Sequence, residues 1–179
     1  MATKEFLFAG FGGQGLLFSG KVLAYKGLIE EKNVSWLPSY GPEMRGGTAN
    51  CSVIISDEPV GAPIVLNPDV LVAMNLPSLD KYEKAVRKGG IILVDSSLIS
   101  RKVERDDVDV YYVPATRLAD ENGTGQLANM ILMGKLLSVL DEYNEETVSA
   151  ALEKCISARH ADMLDYNRKA METGRNYAG

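Results

Sequence analysis

Phe8-Ala9-Gly10-Phe11-Gly12-Gly13-Gln14-Gly15 decides the fold of this chain. A strand-like apolar run leads into it and a helix-like run leaves it. Gly10, Gly12 and Gly15 satisfy G-x-G-x-x-G, a spacing that lets a strand turn tightly into a helix. No Cβ stands in the way, so backbone N–H groups of such a loop can approach an anion at the helix N-terminus. Working outward, residues 5–9 read as the first strand and residues 15–31 as the helix. Leu16, Leu17, Leu23, Leu28 and Ile29 supply the helix's apolar side, while Gly20, Ala24 and Gly27 recur on one face and suit close packing on a sheet.

A second glycine-rich stretch follows one strand later: Ser39-Tyr40-Gly41-Pro42-Glu43-Met44-Arg45-Gly46-Gly47-Thr48-Ala49. Residues 34–37 form a short strand before it, residues 38–47 a loop, and residues 48–56 a third strand with Ala49, Cys51, Val53 and Ile55 on one face. Further strands are expected at 70–74, 91–94 and 108–113, with a helix at 76–87. After Pro114 the chain reads as helical at 125–140, at 145–157 with Asn144 as N-cap, and at 165–177. Unbroken apolar strands of this kind suit a sheet covered on both faces. The expected architecture is therefore a three-layer α/β/α domain occupying residues 1–179. Its closely spaced second and third strands favour a mixed sheet over a fully parallel one.

Composition narrows the function. The chain has 179 residues, 46% hydrophobic, enough for one domain with a real core. The net charge is −5 and there is no Lys/Arg cluster, which disfavours nucleic acid and anionic membrane surfaces as partners. No apolar run reaches the ~18 residues of a spanning helix. The start of the sequence lacks the basic and apolar segments of a signal peptide, so a cytoplasmic location is expected. Cys51 and Cys155, the two cysteines, are far apart in sequence and cannot hold an iron–sulfur cluster between them. They read as buried small apolar residues. His160, the single histidine, lies in a charged helical segment and reads as exposed or partly packed rather than as a metal ligand.

Three readings compete for the first loop. A dinucleotide site wants an acidic residue at the end of the second strand, but that strand ends in Leu37-Pro38-Ser39, and Glu30 and Glu31 precede it. A Walker-type phosphate loop wants Gly-Lys-Ser/Thr at the helix start, but Gly15-Leu16-Leu17 stands there. The third reading is a backbone surface offered to a partner chain, or to a phosphate-bearing ligand shared with one. In an α/β sheet, loops after parallel strands converge on one edge. Gly10, Gly12, Gly13, Gln14 and Gly15 should lie there with Asp95, Ser96 and Ser97, and Tyr40, Glu43, Met44 and Arg45 nearby. Glu43 and Arg45 either stabilise a turn as a pair, or Arg45 recognises a carboxylate or phosphate while Glu43 orients it. Tyr40 and Met44 suit interface anchoring. No nucleophile has an evident base partner, so no catalytic residue is assigned.

Taken together, the two glycine stretches and Val94-Asp95-Ser96 resemble the gamma subunit of 2-oxoacid:ferredoxin oxidoreductases, of pyruvate, 2-oxoglutarate or ketoisovalerate type. Asn67-Pro68-Asp69, Val113-Pro114-Ala115-Thr116 and Asn129-Met130 fit the same pattern. The resemblance runs from Glu5 to about Ser157. It implies the fold of the gamma domain of pyruvate:ferredoxin oxidoreductase and a place in a complex that oxidatively decarboxylates a 2-oxoacid. In such a complex coenzyme A takes the acyl group and ferredoxin takes the electrons. Thiamine diphosphate, magnesium and iron–sulfur clusters are implied chiefly on other chains: the alpha and beta subunits and a ferredoxin-like delta subunit. For this chain the resemblance implies a role in assembly and a share in the coenzyme A site, carried by Gly10, Gly12, Gly13, Gln14, Gly15 and Arg45. Tyr40, Glu43, Met44 and Arg45 are expected to contact partner chains. An indolepyruvate:ferredoxin oxidoreductase subunit, a stand-alone nucleotide-binding module and a self-contained NAD enzyme are the alternatives.

Overall fold

The computed structural model describes residues 3–39 and 49–179. Tyr40, Glu43, Met44 and Arg45, with the rest of the second glycine stretch up to Thr48, lie outside the described residues.

The first strand, β1 (Lys4–Gly10), runs into α1 (Leu16–Ile29) through the glycine loop. Two antiparallel strands follow, β2 (Asn33–Ser39) and β3 (Ala49–Ser56). The next strand is β4 (Val70–Ala73), followed by the short helix α2 (Leu76–Tyr82), and then β5 (Ile91–Asp95) and β6 (Asp109–Val113). The remainder is helical: α3 (Ala115–Glu121), α4 (Ala128–Val139), α5 (Glu145–Cys155) and α6 (Asp162–Asn176).

The strands form one six-stranded sheet in the order β2-β3-β1-β4-β5-β6. β1, β4, β5 and β6 pair in parallel, whereas β3 pairs antiparallel with both β1 and β2, so the sheet is mixed as expected. Side chains alternate across it. Phe6, Phe8, Val53, Val70, Val72 and Leu93 pack under the layer of α1 and the four C-terminal helices. Leu7, Ala9, Leu71, Ala73, Ile92 and Val94 pack on the other side with Leu79, Val86 and Ile99. Burial on both faces explains the near-continuous apolar runs of the central strands.

Several expected boundaries shift for physical reasons. α1 begins at Leu16 because Gly15, at φ 77°, is its left-handed N-cap. β2 extends through Pro38 and Ser39, which were expected in a loop; as an edge strand, β2 tolerates a residue without an N–H. The helix expected over 76–87 stops at Tyr82 and tightens into a 3₁₀ turn, Glu83–Ala85. The helix expected from residue 125 begins at Ala128, since Gly123 and Gly125, at φ 63° and 62°, hold the preceding turn left-handed. α3 was not anticipated at all, and α6 begins three residues before its expected start. Asn144 does cap α5, its Oδ1 accepting from the Thr147 N–H at 3.1 Å.

The small face of α1 packs as expected. A Cβ on Gly20 would run into Cys51 and Trp36, and one on Gly27 would come within 2.9 Å of Val34 Cγ2. A second close approach joins α4 to α6, where Gly134 lies against the Met171 carbonyl and Gly174 against that of Ile131. Among the described residues, no helix is long and apolar enough to cross a membrane.

Candidate functional site

The glycine loop lies at the C-terminal edge of the parallel strands, where the ends of β1, β4 and β5 converge. Gly13 and Gly15 adopt φ 88° and 77°, conformations that L side chains rarely take. Gln14 ties the loop to the sheet: its Oε1 accepts from the Phe11 N–H at 2.6 Å and its Nε2 donates to the Met74 carbonyl at 3.0 Å. A Cβ on Gly10 would occupy the space of that carboxamide. Gln14 is therefore engaged within the loop and holds its shape. Phe11, Gly12 and Gly13 are exposed.

Asn129, the residue after the start of α4, locks the loop from the other side. Its Nδ2 donates to the Gly15 carbonyl at 3.1 Å and to Ser19 Oγ at 3.0 Å, and a Cβ on Gly15 would meet this carboxamide at 2.5 Å. α1 and α4 both begin without a side-chain cap and without an acidic residue in the first turn. Their N-termini thus lack side-chain acceptors and bring the positive ends of two helix dipoles to one place.

That place is a cavity of about 430 Å³, lined by Gly13 and Gly15 on one side and by Gln126, Leu127 and Asn129 on another. Cys155, Ile156, Ser157 and His160 close a third side, with Met163 and Asn167 of α6 behind. The two residues read as bland in the sequence, Cys155 and His160, therefore border the glycine loop. His160 is exposed at the rim, and Cys155 is half-buried with its thiol pushed up to about 11 by burial. Cys51 is fully buried beneath α1, and its thiol is pushed up to about 12 for the same reason. Neither is a poised nucleophile.

Asp95 sits at the expected edge, but its carboxylate is engaged within the fold. Oδ1 accepts from the Ser97 N–H at 3.0 Å and the Thr116 N–H at 3.4 Å, and Oδ2 from Thr116 Oγ1 at 2.6 Å. It is fully buried and pins the start of α3 to the end of β5. This tie accounts for the pairing of Val94-Asp95-Ser96 with Val113-Pro114-Ala115-Thr116 in the sequence pattern. Asn75, which follows β4, caps α2 through its Oδ1 to the Ser78 N–H at 2.8 Å, yet Asn75 Nδ2 and Ser78 Oγ are buried without partners.

The donor set does not suit the redox cofactors implied by the resemblance. Two cysteines, one fully buried, cannot supply the ligands of a cluster. Among the described residues no three His, Cys, Asp or Glu side chains are grouped so as to hold a metal ion, and the buried Asp95 carboxylate is engaged by Ser97 and Thr116.

The sequence matches the pyruvate ferredoxin/flavodoxin oxidoreductase family over residues 5–177. The chain belongs to that family. It is 42% identical over 171 residues to "Ketoisovalerate oxidoreductase subunit VorA" of Methanothermobacter marburgensis, a match covering 95% of this chain and 35% of the relative. It is 38% identical over 152 residues to "2-oxoglutarate synthase subunit KorC" of Methanocaldococcus jannaschii, covering 83% of this chain and 81% of that one. The chain thus spans about a third of VorA and about four-fifths of KorC. Among solved structures, the keto/oxoacid ferredoxin oxidoreductase gamma subunit of Geobacter sulfurreducens superposes with a TM-score of 0.81 at 28% identity, over 96% of both chains.

More distantly, the fold recurs in 31% of the chain of a Magnetococcus marinus 2-oxoglutarate:ferredoxin oxidoreductase described with 2-oxoglutarate, coenzyme A and succinyl-CoA bound (22% identity, TM-score 0.84). The indolepyruvate oxidoreductase subunit IorB of Archaeoglobus fulgidus is 24% identical over 190 residues, below the 42% and 38% of VorA and KorC. The fold and the family expected from the sequence are thereby established, and within the family the indolepyruvate branch is the more remote.

Proposed function

We propose that this chain is the gamma-type subunit of a thiamine-dependent 2-oxoacid:ferredoxin oxidoreductase, acting as one cytoplasmic domain. In this reading it binds alpha- and beta-type chains and shares in the coenzyme A site. Those chains, with a ferredoxin-like delta component, hold thiamine diphosphate, magnesium and the clusters, and ferredoxin accepts the electrons. The observation that carries the reading is a ligand-holding edge without reacting groups. Two left-handed glycines and two uncapped helix N-termini face one cavity, and no base-activated nucleophile or metal-ligand cluster accompanies them among the described residues. Such an edge can orient an anionic carrier but cannot cleave a carbon–carbon bond.

Gly12, Gly13 and Gly15 offer backbone, and Gln14 holds them in shape, so the loop contributes position rather than chemistry. Arg45 and the residues around it, Tyr40, Glu43 and Met44, are proposed to meet the partner chains beside it. The test is affinity capture from native extract followed by assay of 2-oxoacid-dependent, coenzyme A-dependent reduction of ferredoxin. Alpha- and beta-type chains should co-purify, and activity should belong to the complex alone. Full turnover by the isolated chain overturns the proposal. Within the complex, Gly12→Ala should raise the KM for coenzyme A or loosen assembly while the chain stays folded.

A further inference from the structure

The lateral edge of the sheet at β2 is open, and the glycine loop does not account for it. β2 is the end strand on that side, and among the described residues no strand pairs with its outer flank. A free row of backbone N–H and C=O groups is a template for a further strand, and charged side chains usually blunt it. Asn33-Val34-Ser35-Trp36-Leu37-Pro38-Ser39 carries no charge, and Pro38 withholds a donor only near the far end. The surface beside the strand is apolar. Trp36 is 39% exposed, Leu37 37%, and Leu28 of α1 54%. Val34 and Trp36 lie on the α1 face, where they line a groove of about 230 Å³ with Lys21, Tyr25 and Leu28. A half-exposed Trp beside a Tyr and a Leu has the composition of an interface core.

We propose that this edge joins two copies of the chain, with β2 of one protomer pairing antiparallel to β2 of the other across a dyad. Two observations select a second copy as the occupant. The first is self-complementarity. Directly opposed residues of an antiparallel pair share a face. A dyad at Ser35 sets Val34 of each protomer against Trp36 of the other and keeps Pro38 at the margin of the pairing. The second is charge. The chain carries a net charge of −5, so two copies repel through most of their surface, whereas this strand is neutral. The dyad also reverses α1, which brings the Lys21 end of one helix beside Glu31, just past the end of the other. Neither Lys21 nor Glu31 has an ion-pair partner among the described residues. Strand pairing alone falls short of the roughly 800 Å² per partner of a stable interface, so the open side of α1 is part of the contact. The inference goes beyond the subunit reading and does not depend on it.

The test is sedimentation velocity of the full-length chain from low to high micromolar concentration, where the mass should pass from one chain to two. Trp36 is the sole tryptophan, so its fluorescence reports this edge alone, and its emission should move to shorter wavelength over the same range. Leu37→Lys places a charge on the exposed strand and keeps the tryptophan. It should weaken the dimer tenfold or more and hold the emission at its dilute position. Should Leu37→Lys fail to fold by circular dichroism, a charge exchange decides. Lys21→Glu should weaken association at least threefold, and Lys21→Glu combined with Glu31→Lys should restore it. Within one chain the two positions lie about 15 Å apart along the helix direction, so restoration needs two copies. The inference is overturned if the chain stays monomeric throughout, if a dimer forms without a shift in Trp36 emission, or if the double exchange fails to restore association. The subunit reading fails separately: a dimer that captures no alpha- or beta-type chain loses that reading and keeps the interface, and a monomer that captures them does the reverse.

Discussion

The two edges of the sheet are built on opposite principles. At the N-terminal edge of the parallel strands, polar groups are paired within the chain. Asp69 Oδ2 accepts from the Glu5 N–H at 2.7 Å, and Arg87 spans Asp69 at 3.0 Å and Glu5 at 2.7 Å. Backbone bonds from Asp69 to Glu5 (2.8 Å) and from Ile91 to Asp69 (2.8 Å) stitch the starts of β1, β4 and β5 together. Arg105, gripping Asp107 and the carbonyls of Glu83 and Val86, closes the flank. At the C-terminal edge and beside the glycine loop, Asn75 Nδ2, Ser78 Oγ and Asn167 Oδ1 are buried without partners, and two helices start uncapped. One edge is closed by its own side chains, while the other keeps unpartnered buried polar atoms and helix starts without side-chain caps. The same contrast explains the Asn67-Pro68-Asp69 turn: it belongs to the closed edge and serves the fold.

Gly15→Ala should have the largest effect. It forces a Cβ into φ 77° and onto the Asn129 carboxamide, displacing two hydrogen bonds. Left-handed strain of about 1–2 kcal/mol per residue, with roughly 1 kcal/mol for the disturbed bonds, gives a loss of about 3 kcal/mol. Urea denaturation of the isolated chain measures it. A loss under about 1 kcal/mol would mean that the loop relaxes freely and that the open edge is not a rigid platform.

Next comes Asp69→Ala at the closed edge. It removes an acceptor for a backbone N–H and the anchor of Arg87, in a side chain about a quarter exposed, and should cost about 2 kcal/mol. Coenzyme A kinetics of the assembled complex should not change. If the KM for coenzyme A moves instead, the two edges are coupled and the division drawn above fails.

Much of this was legible in the sequence because it rests on local, periodic signals. The strand–glycine–helix junction, the apolar strands, the Asn144 cap and the small face of α1 are all written in neighbouring residues. What escaped depends on distance. α3 was hidden because Pro114 reads as the end of a strand, and the tie that fixes the helix, Asp95 to Thr116, joins residues 21 apart. The Gly134–Gly174 crossing matches two glycines from different helices, each of which reads alone as a helix-weakening residue. Asn167 was invisible for a related reason: an Asn within a charged, amphipathic helix reads as surface, and only the packing of α6 on α4 buries it. Cys155 reaches the cavity from the end of α5 and His160 from the turn after it, a placement that no spacing encodes.

The smallest effect has the unusual sign. Ser78 is fully buried and its hydroxyl has no partner, so in the isolated chain it carries a desolvation cost with nothing to offset it. Ser78→Ala removes the oxygen and leaves the rest of the side chain in place. It should stabilise the isolated chain by about 1 kcal/mol, raising the Tm by about 2–4 °C. The same substitution in the assembled complex should give no gain, because a group arriving from a partner chain or ligand would satisfy the hydroxyl there. Differential scanning calorimetry of both forms separates the two states. Equal stabilisation in both would mean that nothing reaches Ser78, and the C-terminal edge would then be open only around the glycine loop and Asn167. A loss of stability in the isolated chain would mean that the hydroxyl already has a use within it, and Ser78 would move to the finished side of the comparison.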